Sequence, residues 1–156
     1  MISSIIYLSS PSETSTEQLA PVGAIRSHNH PTYGYQLYRM VRAPAGVALA
    51  ANGVVIYASG SSVNVTKAGA AAVNSSAMAG VTQGIIPISY YGWVVVAGQC
   101  GIKAMAAGLL VNTAVATHGA GGFIDDATVT EGTTVGTTLA DIAINTVGTV
   151  RLKAML

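Results

Sequence analysis

Charge is what this 156-residue chain has least of. Only 8% of its residues are Asp, Glu, Lys or Arg, about a third of the usual share in soluble domains. The seven Lys and Arg are scattered and the net charge is +1. Binding nucleic acid by counterion release needs clustered cations, so no nucleic-acid partner is expected. A single cysteine, Cys100, excludes an intrachain disulfide framework and a Cys-rich metal site, leaving a buried, inert thiol as the expectation. Long apolar runs are missing too. The stretch 93–117 comes nearest, but Gln99, Lys103, Asn112 and several glycines interrupt it. No membrane span is expected there, and the start lacks the basic n-region and sustained h-region of a signal peptide.

Catalytic groupings are equally thin. His118-Gly-Ala-Gly-Gly has the look of an oxyanion loop, but no Gly-x-Ser-x-Gly elbow accompanies it. Asp125 and Asp126 are adjacent, so a strand would send them to opposite sides, while Glu131 sits in a turn-like context beside Gly132. No Gly-x-x-x-x-Gly-Lys-Ser/Thr phosphate loop occurs. His28 and His30 would share one side of an extended segment, where they could face a metal, but no third ligand is cued. A non-enzyme without metal or cofactor is expected. The rival from another class is a small hydrolase drawing on His28, His118 and the Asp125/Asp126 loop.

What the chain has is 51% hydrophobic residues and 18 glycines. With so little charge, the folded surface must be largely Ser, Thr, Asn, Gly and small apolar groups. Such surfaces suit a protein covered by copies of itself or by partners, so an obligate assembly is expected.

Residues 1–31 differ from the remainder. Ile5, Ile6, Tyr7 and Leu8 precede a Ser/Thr/Glu-rich stretch, and Pro11, Pro21 and Pro31 discourage helix. The reading is an extended N-terminal arm, with Ile5, Ile6, Tyr7 and Leu8 as its anchor, followed by a β-rich domain over 32–156. In Tyr33–Arg42, alternation puts Tyr35, Leu37 and Arg39 on one face and Gln36, Tyr38 and Met40 on the other. Further strands are expected at 53–58, 63–66, 93–97, 100–105, 109–116, 123–124, 137–144 and 149–155, with turn signals about every ten residues. Ala68–Met78 fits a helix or a small-residue loop. The fold class expected is all-β: a small barrel, β-tulip-like domain or sandwich.

Two segments echo each other. Ala45–Ala58 and Met105–Ala116 each run through small residues, a Leu, an Asn turn and an apolar strand, which suggests one loop–strand unit used twice. Aromatic residues fall in two groups: Tyr33, Tyr35 and Tyr38 with Arg39 and Arg42, and Tyr90-Tyr91-Gly92-Trp93. Tyr, Trp and Arg are enriched at interface hot spots. The first group is therefore the candidate interface with a partner or a second copy, whereas Trp93 reads as core.

Several stretches together carry a family resemblance: Ala79-Gly-Val-Thr-Gln-Gly, Tyr91-Gly-Trp-Val-Val-Val-Ala-Gly-Gln-Cys-Gly-Ile-Lys-Ala, Ala106-Ala-Gly-Leu-Leu-Val, Gly132-Thr-Thr-Val-Gly-Thr-Thr-Leu and Val147-Gly-Thr-Val-Arg-Leu. Over residues 33–156 the chain resembles the head decoration (cement) proteins of tailed bacteriophages. The resemblance implies a small β-domain on the exterior of a virion, commonly a homotrimer, that binds the major capsid protein and clamps neighbouring capsomers with its arm. It departs from the family in the Ala/Ser stretch at 68–78. A head fibre, tail or baseplate subunit touching host glycans, for which Tyr90 and Tyr91 could serve, is the other structural expectation.

Overall fold

The structure is a computed structural model that describes residues 11–57, 65–67, 78–104, 109–117, 124–126 and 134–154. The arm's anchor residues Ile5, Ile6, Tyr7 and Leu8, most of the Ala68–Met78 stretch, His118 and Glu131 lie outside them. The fold is all-β, with no helix among the described residues. The strands are β1 (Thr14–Ser15), β2 (Ile25–His30), β3 (Gly34–Arg42), β4 (Val54–Tyr57), β5 (Val65–Lys67), β6 (Met78–Thr82), β7 (Tyr91–Lys103), β8 (Ala114–Thr117), β9 (Ile124–Asp126), β10 (Thr134–Thr138) and β11 (Val147–Leu152).

All the ladders between strands are antiparallel, and the main path runs β5-β4-β6-β7-β11-β10-β8-β9. β3 pairs with β7, β2 with β3, and the short β1 with the start of β7. The barrel form of the expectation is not realised. Closure would require the end strands to pair, and the path ends in β5 and β9, which do not. A lone parallel bridge, Ala104 to Ile124, links β9 to the end of β7.

The main-path order is a palindrome because the chain contains one five-strand unit twice. The first unit is β3, β4, β5, β6 and the first half of β7; the second is the latter half of β7, then β8, β9, β10 and β11. Each repeats the other's hydrogen bonds. Leu49 and Ile86 exchange backbone bonds, as do Leu109 and Ile142. Asn52 and Asn112 both take left-handed φ (56° and 61°) and donate to the carbonyls of Thr82 and Thr138. The Thr82 hydroxyl donates to Ala50 O (2.5 Å) and accepts from Gly53 N (3.1 Å). Thr138 does the same with Leu110 O (2.5 Å) and Thr113 N (2.9 Å).

The apolar positions correspond in the same way. Val41, Ala43, Leu49, Val55, Ala79, Ile86 and Val94 form one buried cluster. Their counterparts Ile102, Ala104, Leu109, Val115, Val135, Ile142 and Val150 sit in the other. Gly92 and Gly148 are equivalent as well: a Cβ on either would run into the side chain of Ile86 or Ile142. The larger cluster also holds Tyr38, Met40, Val54, Val81, Trp93 and Val95 from the first unit, so one core joins both units.

β7 corrects the expectation of separate strands at 93–97 and 100–105. It is one strand of 13 residues. Gly98 has φ +102°, and a Cβ there would lie 2.5 Å from the Tyr35 carbonyl oxygen. Glycine therefore lets the strand bend and hand over from β3 to β11 without breaking. Further on, 139–146 is a loop between β10 and β11 rather than a strand.

Candidate protein-binding surface

The predicted interface residues sit on or beside the β2–β3 hairpin, and strand alternation separates them. Gln36, Tyr38 and Met40 are buried, as the sequence pattern puts them on one face. Tyr38 has no exposed surface; its hydroxyl donates to Gln36 Oε1, while the Gln36 amide donates to Gln99 O. Burial pushes the Tyr38 hydroxyl up to about 12, with the nearby Cys100 adding to the shift and Arg26 opposing it. Cys100 is free and fully buried, and burial raises its thiol as well.

The other face of β3 runs from buried Val41, through half-buried Arg39 and Leu37, to Tyr35, which is 65% exposed. Arg39 donates to the Tyr57 hydroxyl at 2.9 Å, with its guanidinium 5.9 Å from the Tyr57 ring centre. Across the ladder, Ile25 opposes Arg39, Ser27 opposes Leu37 and Asn29 opposes Tyr35. All three β2 residues are exposed. The result is a continuous strip of Tyr35, Leu37, Arg39, Ile25, Ser27 and Asn29, amphipathic and carrying one cation. Such a mixture of aromatic, apolar and Arg groups suits a protein surface better than a small ligand.

Tyr33 and Arg42 are elsewhere. Tyr33 lies beyond β2, its ring stacked on His30 with centres 4.8 Å apart. Arg42, at the far end of β3, donates from Nε to Ser89 O (3.3 Å) and lies 5.5 Å from the Tyr91 ring centre. The structure thus brings Tyr35 and Arg39 together, and it keeps Tyr38, Tyr33 and Arg42 apart from them. Trp93 is buried beneath the Arg26 guanidinium, 4.1 Å from the ring centre. Sequence reasoning passed over β2 itself: Arg-Ser-His-Asn-His has no apolar alternation, so its only strand signal is the partner it pairs with.

His28 and His30 do point to one side, with ring centres 6.5 Å apart. However, His30 Nδ1 accepts from the backbone amides of Thr32 (3.1 Å) and Tyr33 (3.3 Å), so that lone pair is already used. Among the described residues no group of three or more His, Cys, Asp or Glu is placed to hold a metal ion. The two histidines border an open depression of about 430 Å³ shared with Tyr33, Asn52 and Gln83 and free of Asp, Glu, Lys and Arg. The other hydrolase candidates, Asp125 and Asp126, lie in β9.

Neither a family model nor a curated protein matches this chain in sequence. In structure it is similar to the N base of the head fibre protein gp8.5 of bacteriophage phi29, with a TM-score of 0.51 and 14% identity. The match covers 74% of this chain and 92% of the neighbour. At that identity the likeness is one of fold.

Proposed function

We propose that this chain is a structural protein of a bacteriophage head, working on the outside of the capsid by binding protein surfaces and not by catalysis. The observation that carries the reading is the fold shared with the phi29 head-fibre base over nearly all of that base. The shortage of charge and the Tyr35/Arg39 strip support it from the chemical side. Two finer roles suit a protein of this kind. One is a decoration protein that bridges neighbouring major capsid proteins, assembled as a homotrimer and anchored by Ile5, Ile6, Tyr7 and Leu8. The other, favoured by the neighbour's identity, is the base on which a head fibre stands. Both depend on avidity, in which many modest contacts repeated over a shell hold the protein in place.

The experiment is co-sedimentation of purified protein with capsids lacking it, followed by cryo-electron microscopy of the loaded particles. Ordered density on the outer surface is expected. Deleting residues 2–10 is expected to weaken loading at least tenfold while the domain keeps its melting temperature. Tyr35→Ala with Arg39→Ala is expected to weaken loading as well. Absence of any binding to capsids would overturn the head reading, and unchanged loading by the deletion would overturn the arm.

A further inference from the structure

The duplication shows how one face of the unit is used. In the first unit, Asn52 and Gln83 lie against the edge of the strand that opens the second unit. Asn52 O accepts from Lys103 N (2.9 Å). The Gln83 amide donates to Gly101 O (3.1 Å) and its Oε1 accepts from Gly101 N (3.2 Å). This face of the unit is therefore built to seat the edge of a β-strand.

The equivalent face of the second unit has no such strand against it among the described residues, and its chemistry has changed. Ala50, Ala51 and Gln83 correspond to Leu110, Val111 and Leu139. Leu110 is 68% exposed and Val111 48%. Larger apolar side chains thus stand where the first unit has small or polar ones, although a free surface would favour the reverse. The backbone beneath them is held by Thr138 as in the first unit, and in addition by Asp141 Oδ1 accepting from Val111 N (2.7 Å).

A strand edge to fill that face exists at the other end of the molecule. The counterpart of the seated strand is β3, whose outer edge is taken by Gly23, Ala24 and β2. Among the described residues the outermost edge there is consequently that of β2. Met40 N donates to Ala24 O, so by ladder alternation the even-numbered residues of β2 bond to β3. Ile25, Ser27 and Asn29 turn their amides and carbonyls outward. None of the three is charged, and neither is Leu110, Val111 or Leu139; the Asp141 carboxylate, bonded to Val111 N, is an acidic group beside that face. β2 also lacks the lysines and prolines that commonly guard an edge.

We propose that Leu110 and Val111 form a docking face for a second copy of this chain, which presents the outer edge of its β2. The contact is head-to-tail, with β2 of one copy in the place that the second unit's opening strand takes within a single molecule, and it closes into a ring when its rotation allows. It deepens the self-association in the proposed function and does not depend on attachment to a capsid.

The test uses the full chain in sedimentation velocity across the micromolar range, with Leu110→Ser/Val111→Ser as the variant. Wild type is expected to assemble, and the variant to dissociate at least tenfold more readily with an unchanged melting temperature. A second arm mixes chains carrying Val111→Cys with chains carrying Ser27→Cys. A disulfide between copies is expected in that mixture, with buried Cys100 uninvolved. Monomeric wild type, full assembly by the serine variant, or assembly without the cross-link would each overturn the proposal. Capsid co-sedimentation of the serine variant separates the two readings. Capsid binding retained by a monomeric variant leaves the head reading standing, whereas assembled wild type that ignores capsids removes that reading alone.

Discussion

At the level of single residues, the buried polar groups decide most. Thr82 and Thr138 each hold a loop to a strand by serving two backbone groups at once. Replacing either by Val keeps the shape and strands both backbone partners, at a cost of about 2 kcal/mol. Because the two sites are equivalent, Thr82→Val and Thr138→Val are expected to lower the melting temperature by similar amounts; a silent Thr138→Val would show that the second site is not under the same constraint. Tyr38 and Cys100 make stability sensitive to alkali. Each group titrates higher in the folded chain than in the unfolded one, so each contributes stability that is intact below its unfolded value. For Tyr38 that contribution is lost as pH rises from about 10 to about 12, and for Cys100 the loss begins near 9. Thermal melts between pH 7 and 11 are expected to fall above pH 9, and Tyr38→Phe with Cys100→Ala is expected to flatten that fall. A slope equal to wild type would refute the assignment.

At the level of elements, β7 carries the architecture. It ends one unit and begins the next, and Gly98 lets it do so. Gly98→Val would place a branched side chain at φ +102° against the Tyr35 carbonyl, costing about 3 kcal/mol. Denaturant titration is expected to show a clear drop in midpoint; a stable valine variant would mean that the bend does not need glycine. The sequence displayed the strand on either side of this bend through Trp93–Ala97 and the apolar residues after Cys100. It did not display the continuity, because Gly-Gln in a β-rich chain reads equally as a turn. Likewise the β3 alternation was legible, since Gln36, Tyr38 and Met40 are spaced for one face, but β2 was not. Its polar residues form a strand only because β3 presents an edge.

At the level of the whole molecule, the shared core predicts one cooperative unit. Cys100, Ile102, Val115 and Val150 from the second unit pack in the same cluster as Tyr38, Met40 and Trp93 from the first. Unfolding followed by Trp93 fluorescence and by far-ultraviolet circular dichroism is expected to give coincident transitions. Two separate transitions would mean that the units are independent.

The sequence by itself determined the all-β class and the alternation of side chains along β3. It also determined a scarcity of charge, at 8% of the residues. These follow from composition and from the two-residue period of a strand, which act locally. Of the duplication, only the loop–strand segment shared by 45–58 and 105–116 could be read in the residues. The rest became visible through Thr82 with Thr138 and Ile86 with Ile142, whose side chains differ in their sequence neighbours but meet equivalent backbone. Only the tertiary structure decided that Tyr38 is core while Tyr35 is surface at a shared interface candidate, and that Asn52 and Gln83 meet a strand edge while Leu110 and Val111 stand exposed. Burial of this kind is set by which strand edges come together, and edges are chosen by backbone geometry that the side-chain pattern does not encode.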